Sequence, residues 1–223
     1  ARFFDTLRAA GFFVEVLGEG GWDCFDASNY AALLLVDPED DFDAHELKKL
    51  QHDVRARGLG LLVVADWHEE ALLPTLSFFD DNTRSVWFPV VGGANVPALN
   101  RLLRPFDAAL GDGVVEGAVE LGAGRQWQFA SGTYIARWPA GGRLLLSRKL
   151  RLHNAASVQL RGAAAPMAAL GLLDLAAPQN YNNANASTHT HAGRIAVMAD
   201  SHCLDSASMT DEASSFCGDL AVD

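Results

Sequence analysis

An open, mostly parallel α/β sheet carrying an antiparallel β insert is what this 223-residue sequence predicts. Three observations point to it. Short apolar runs that end in aspartate, Leu59–Ala65 above all, have the length and branching of strands buried on both faces. Between them lie segments of 3.6-residue periodicity with helix-capping signals, and such alternation is the mark of a layered α/β domain. From Val114 to Ser147 the pattern changes to period-two runs separated by glycine, which reads as antiparallel hairpins.

Taken in order, Phe3, Phe4 and Leu7 recur at helical spacing, and Gly11 stands where a left-handed C-cap ends a helix. Phe12–Leu17, rich in aromatic and β-branched residues, predicts a strand that Gly18–Gly21 breaks. Ala31–Val36 predicts a core strand closed by Asp37 and Pro38, since the residue before a proline is held extended. Asp43 with Glu46 forms a capping-box pattern, and Leu47, Leu50 and Val54 stripe one face of a helix that Gly58 stops. After the central strand Leu59–Ala65, Asp66 with Glu69 repeats that pattern and predicts a second helix. Phe78–Asn95 reads as an irregular stretch held by Phe79, Trp87 and Phe88 as aromatic anchors.

Asn95 then caps a helix with Pro97 in its first turn and Leu99, Leu102 and Leu103 on its apolar side, ended by Pro105. Four hairpin runs follow: Val114–Leu121, Gln126–Ala130, Thr133–Trp138 and Arg143–Ser147. Met167–Leu173 and Arg194–Ala199 return to buried-strand character, residues 176–193 form a polar surface loop, and Thr210–Leu220 predicts a closing helix. The whole is one domain of flavodoxin-like or class I glutamine-amidotransferase-like form. Residues 1–112 are its α/β part, 113–150 the hairpin insert, and 151–223 the return to the core. Because a helix in a parallel unit normally joins two strands, a further strand is expected ahead of the first helix, with the domain truncated there.

The formal charge of −11 repels phosphate backbones and anionic lipid, so nucleic acid is not an expected partner. No apolar run approaches the roughly 18–20 residues of a membrane span, and the N-terminal residues lack the apolar core of a secretory signal. This segment is therefore not expected to insert into a membrane. Cys24, Cys203 and Cys217 are odd in number and too few for a disulfide-built scaffold, so composition leaves the redox compartment open.

A run of uncommon residue types carries a family likeness. These are Asp66-Trp67, Phe79-Asp80, Asn82-Thr83-Arg84, Trp87 with Pro89, Gly92-Gly93-Ala94-Asn95 and Pro97-Ala98-Leu99-Asn100. The blocks Gly11–Leu17, Cys24–Tyr30, Ala130–Pro139 and Asp200–Ser206 agree with it. Over nearly its whole length the chain resembles the post-catalytic luminal region of the membrane-bound transcription factor site-1 proteases, Golgi serine proteases of the subtilisin class. The resemblance implies an amidotransferase-like fold, an upstream protease domain with a signal sequence before it, a downstream transmembrane segment, and a place in the Golgi lumen. It also implies that Cys203 pairs with Cys217, which would leave Cys24 unpaired or bonded outside the segment. The family's turn corresponding to residues 176–193 is shorter, a departure from the pattern.

Four constellations could carry chemistry. Asp37, Asp66 and Asp200 end apolar runs, and parallel strands would bring them to the sheet edge where such folds bind ligands. Equally, acids at strand ends serve as caps and turn formers, and no glycine-rich phosphate loop accompanies these. Asp200, Ser201 and His202 have the residue types of a serine-protease triad, but neighbours on an extended segment point to opposite faces and do not converge. An amidotransferase needs a thiol on the turn after the central strand, where Asp66-Trp67 stands instead. His189, His191, His202 and Cys203 are zinc donors by type, at a spacing that fits no closed zinc pattern. No catalytic residue, cofactor or metal is therefore assigned. Asn185, in the sequon Asn185-Ala186-Ser187, is a candidate glycosylation site.

The resulting expectation is a non-catalytic accessory domain of a subtilisin-family endopeptidase that cleaves membrane-bound transcription factor precursors. Its partners would be the protease domain of the same chain and membrane-anchored substrates or a partner protein. The rival is a free-standing small-molecule-binding domain using the edge at Asp37, Asp66 and Asp200.

Overall fold

The computed structural model describes residues 2–18, 25–122, 125–153, 165–176 and 193–204. Its first helix, α1 (Arg2–Ala9), ends as its sequence dictates. Gly11 takes φ of 90°, and the Phe12 N–H donates to the Leu7 carbonyl at 3.0 Å, which closes the last turn. Phe12–Leu17 is not the predicted strand: it enters none of the described sheets, and Phe12, Phe13 and Val16 are exposed. Aromatic and branched residues favour a strand only where a partner edge and a packing surface meet them.

Three parallel strands follow the sequence closely. They are β1 (Ala32–Val36), β2 (Gly60–Val64) and, from the far end of the chain, β12 (Arg194–Met198), in the order β1-β2-β12. The helix between the first two, α2 (Ala44–Ala56), carries the complete capping box: the Asp43 carboxylate accepts from the Glu46 N–H at 2.8 Å and the Glu46 carboxylate from the Asp43 N–H at 2.7 Å. Leu50 and Val54 on its inner face are buried, and Gly58 leaves it at φ of 74°. Beside them Asp53 is buried and paired to Lys49 at 2.6 Å.

No α-helix follows β2, against the expectation from Asp66 and Glu69. Pro74 would fall inside such a helix, where its ring clashes with the preceding turn and an amide donor is lost, so too little is left to propagate. The chain instead makes a 3-10 turn over Leu73–Thr75 and then a small hairpin of β3 (Phe78–Asp80) and β4 (Ser85–Trp87). The aromatic residues expected to anchor this stretch are on its outside: Phe79, Trp87 and Phe88 are all more than half exposed, as is Phe78 beside them. α3 (Val96–Leu103) forms as predicted, its Asn95 cap accepting from the Ala98 N–H at 3.0 Å and Val96, Leu99, Leu102 and Leu103 buried. Past Leu103 the chain tightens into a 3-10 turn through Pro105.

The remaining strands make the sheet mixed instead of mostly parallel. They are β5 (Ala109–Leu110), β6 (Val115–Gly122), β7 (Arg125–Gly132), β8 (Ile135–Arg137), β9 (Arg143–Ser147), β10 (Arg151–Leu152) and β11 (Met167–Asp174). β11 lies antiparallel to β12, both β8 and β9 pair antiparallel with β11, and β5 continues from β8. The main sheet thus runs β1-β2-β12-β11-β8-β5. Apolar runs covered on both faces look alike whichever way the neighbouring strand points, so the sequence pattern of β11 does not reveal its direction. Of the strands read as an insert, β6 and β7 form a separate sheet with β10, their inner face carrying Trp127 and Phe129 with ring centroids 4.5 Å apart, while β8 and β9 enter the main sheet.

Candidate functional site

The three predicted aspartates stand at one edge of the sheet. Register pairs Val36 with Val64 and Val64 with Met198, so β1, β2 and β12 end side by side. Just past those ends the Asp37 N–H donates to the Val64 carbonyl at 3.0 Å, and the Ala65 N–H to the Met198 carbonyl at 3.0 Å. Asp37, Asp66 and Asp200 therefore lie at the carboxyl edge, the position at which open α/β sheets bind ligands. Asp37 holds φ of 42°, a left-handed backbone that few residues other than glycine adopt.

Two of the three carboxylates, those of Asp66 and Asp200, accept hydrogen bonds close by. Asp66 Oδ1 accepts from the N–H of Trp67 at 2.7 Å and faces the Ser131 hydroxyl at 3.3 Å. Asp200 is fully buried, and its Oδ1 accepts from the His202 N–H at 3.1 Å. Glycines roof the edge. A Cβ at Gly93 would lie 2.5 Å from Asp66 Oδ2, and one at Gly92 would lie 2.3 Å from the Trp67 carbonyl oxygen. Across the edge a Cβ at Gly132 would lie 2.4 Å from the Ala199 carbonyl oxygen and 2.7 Å from Asp200 Cβ. Only residues without a side chain let two loops approach the strand ends this closely. The Thr133 N–H donates to the Ala199 carbonyl at 2.7 Å, tying the end of β7 over β12.

Two residues near this edge escape sequence reasoning. Ser131 reaches Asp66 across 65 positions, a contact without a local signal. His68 is buried, bridges to Gly113, and its Nδ1 has no hydrogen-bond partner among the described residues. The adjacency of Gly92 and Gly93 was the one readable sign that backbone passes close to something there.

The residue types of a serine-protease triad are not arranged as one along Asp200–His202. Asp200 meets a backbone amide of His202, and Ser201 is 7% exposed. The turn after β2, where an amidotransferase would hold its nucleophile, presents Asp66 and Trp67. Among the described residues no group of three or more His, Cys, Asp or Glu side chains could hold a metal ion. Cys203 lies in a 3-10 turn over His202–Leu204. Cys24, Cys217, Asn185, His189, His191 and the predicted Thr210–Leu220 helix lie outside the described residues. A depression of about 430 Å³ elsewhere is lined by Phe4, Arg8, Phe12 and Phe13. No helix among the described residues is long and apolar enough to cross a membrane.

Comparison with known proteins agrees with this architecture. Residues 1–218 match the family model of the MBTPS1 fourth GATase-like domain. The chain is 41% identical over 210 residues to the subtilisin-like protease SBT6.1 of Arabidopsis thaliana, covering 92% of this chain and 19% of that protein. It is 36% identical over 203 residues to the membrane-bound transcription factor site-1 protease of Homo sapiens, covering 91% and 18%, and 37% identical to that of Rattus norvegicus. The chain thus spans about a fifth of the length of these curated relatives. In structure it is similar to the mmIFT52 N-terminal domain, with a TM-score of 0.52 at 13% identity over 86% of this chain and 75% of that one, a likeness of fold alone. The chain belongs to the family of the MBTPS1 fourth GATase-like domain, a domain within site-1-protease-like, subtilisin-like proteins.

Proposed function

We propose that this chain is a non-catalytic accessory domain of a site-1-protease-like serine endopeptidase, one that cleaves membrane-bound transcription factor precursors in the Golgi lumen. The observation that carries the reading is how tightly backbone is packed against the carboxyl edge at Asp66 and Asp200. Gly93 and Ser131 cover Asp66, and Gly132 covers Asp200, at the place where an amidotransferase-like fold would work on a substrate. Acyl transfer needs an exposed nucleophile with a base in reach and donors for the oxyanion. A buried Ser201 beside an Asp200 that caps backbone supports a structural use of those residues.

On this reading the fold is retained for its surface and stability. The domain supports the protease domain of the same polypeptide and holds it at a distance from the membrane. It carries a net charge of −11, which keeps it from anionic lipid. Incubation of the purified chain with a fluorogenic basic-residue peptide tests the non-catalytic reading. No turnover above a buffer blank is expected; turnover that Ser201→Ala abolishes and inhibitors of contaminating proteases do not would overturn it.

A further inference from the structure

Charge is spread unevenly along this chain. Residues 121–173 hold seven Lys and Arg and no Asp or Glu, so all 28 acidic residues lie outside a segment that is basic throughout. β9 lies in that segment and reads Arg-Leu-Leu-Leu-Ser. It pairs antiparallel with β11, and no described strand pairs with its other side. Unpaired N–H and C=O groups along such a side are a template for another extended chain.

The side chains and flanks of β9 narrow what that chain can be. Leu144 and Leu146 are 41% and 51% exposed, and register sets them opposite Gly171 and Ala168, which are too small to cover them. Trp138 sits over Gly171, where a Cβ would lie 2.7 Å from its ring, and walls the leucines on the sheet side. Arg143 opens the strand and is exposed; it shares the one carboxylate of Asp174 with Arg194, at 3.8 Å and 3.1 Å. Past the other end Arg148 and Arg151 are exposed and pair with no carboxylate among the described residues, while Glu116 lies 3.4 Å from His153 and Glu120 takes Lys149 at 2.5 Å. The strand is held stiffly as well. Ser147 Oγ donates to the Ala118 carbonyl at 2.7 Å and accepts from the Lys149 N–H at 3.1 Å, and a Cβ at Gly117 would lie 2.2 Å from the Lys149 carbonyl oxygen. An edge set in advance costs little further ordering on docking.

Arginine and lysine on a strand commonly guard its edge against pairing. Here they flank the strand, and the three residues between Arg143 and Ser147 are all leucine, which guards nothing. A second copy that used its own β9 would bring the arginine ends of the two strands together, and like charges across a strand pair are destabilising. Nucleic acid or a sulfated glycan would satisfy the arginines but has no peptide backbone to match a strand edge. We propose that β9 is a strand-addition site for an extended acidic segment of a partner protein, one in which Asp or Glu alternates with apolar residues. Its backbone completes the free side of β9, its apolar side chains meet Leu144 and Leu146, and its carboxylates meet Arg143, Arg148 and Arg151.

Fluorescence anisotropy and amide exchange on the full-length protein test this, with a labelled peptide of alternating Asp and Val as the probe, about six residues long like a common strand. Saturable binding is expected, with exchange slowed several-fold over residues 143–147 and affinity falling as sodium chloride is raised from about 50 to about 300 mM. A probe with every backbone nitrogen methylated keeps its charge and should not bind, and neither should a probe of alternating Lys and Val. Arg148→Glu with Arg151→Glu should weaken binding about tenfold and leave the thermal midpoint where it was. No saturable binding, equal binding by the methylated probe, protection away from residues 143–147, or unchanged affinity after the two substitutions would overturn the proposal. Amides of 143–147 that are already protected in a protein that ignores the probe would overturn it too, by showing the edge occupied within the polypeptide or by a second copy.

Discussion

Gly93 lies so close to Asp66 that a Cβ placed on it would come 2.5 Å from the carboxylate oxygen, and its own N–H is bonded to the carbonyl of the next residue, Trp67. The contact locks the segment after the hairpin onto the end of the central strand. Gly93→Ala should therefore destabilise the domain by about 1–3 kcal/mol, the usual cost of overpacking. Gly141→Ala is the matched control, because no atom stands within 4 Å of a Cβ there. Its midpoint should move by less than about 0.5 kcal/mol. Urea midpoints check both, and an unshifted Gly93→Ala would show that the two loops are not in contact.

Acid sensitivity should be visible at the cap of α2. The backbone N–H of Glu46, with that of His45, holds the Asp43 carboxyl below its ordinary value of 3.8. A depressed carboxylate contributes stability above its unfolded pKa and loses it as pH falls through its folded pKa. The stability gap between the wild type and Asp43→Ala should stay constant from neutral pH to about pH 4 and narrow below it. Thermal midpoints measured from pH 7 to pH 2.5 check this; a gap that widens in acid would contradict the assignment.

Covalent features form a third expectation, motivated by the family pattern. We propose that Cys203 pairs with Cys217 and that Asn185 carries a glycan in protein made through the secretory pathway. The bridge would stabilise by roughly 3 kcal/mol by restricting the unfolded chain. Peptide mapping without reductant, with and without glycosidase, reads both at once. A linked Cys24, two free thiols at Cys203 and Cys217, or an Asn185 peptide of unmodified mass refutes the corresponding pairing or glycan.

At the open side of the sheet, β1 is the edge strand of the described structure, with Leu34 and Val36 partly exposed. Unpaired strand edges invite pairing or aggregation. A chain extended by about 60 upstream residues, ample for one strand and its connection, should show slower amide exchange over β1 and a higher denaturant midpoint. Equal exchange and equal midpoints, with both chains monomeric, would show that no strand adds there.

Legibility in the sequence followed the range of each signal. α2 could be read to its caps because Asp43, Glu46 and Gly58 are local. The edge at Asp37, Asp66 and Asp200 could be read because buried runs that end in an acid are local too. Pro74 lay in plain view and outweighed the pattern of Asp66 and Glu69, since one missing donor and one steric clash end a helix whatever its cap. The antiparallel turn of β11 and the contact of Ser131 with Asp66 depend on residues far apart, and no local periodicity encodes them. Phe79, Trp87 and Phe88 misled in the opposite sense. Their aromatic character signals burial, but among the described residues nothing covers them.

The most direct test of the accessory reading compares the full-length protease with a version lacking residues 1–223. Activity per correctly folded molecule on a short soluble peptide should stay within about twofold, because no group that touches the reacting atoms has been removed, while the yield of mature protease and its thermal midpoint fall. A loss of about 10⁴-fold or more in kcat with normal folding and maturation is what removing a catalytic group does, and it would contradict the account.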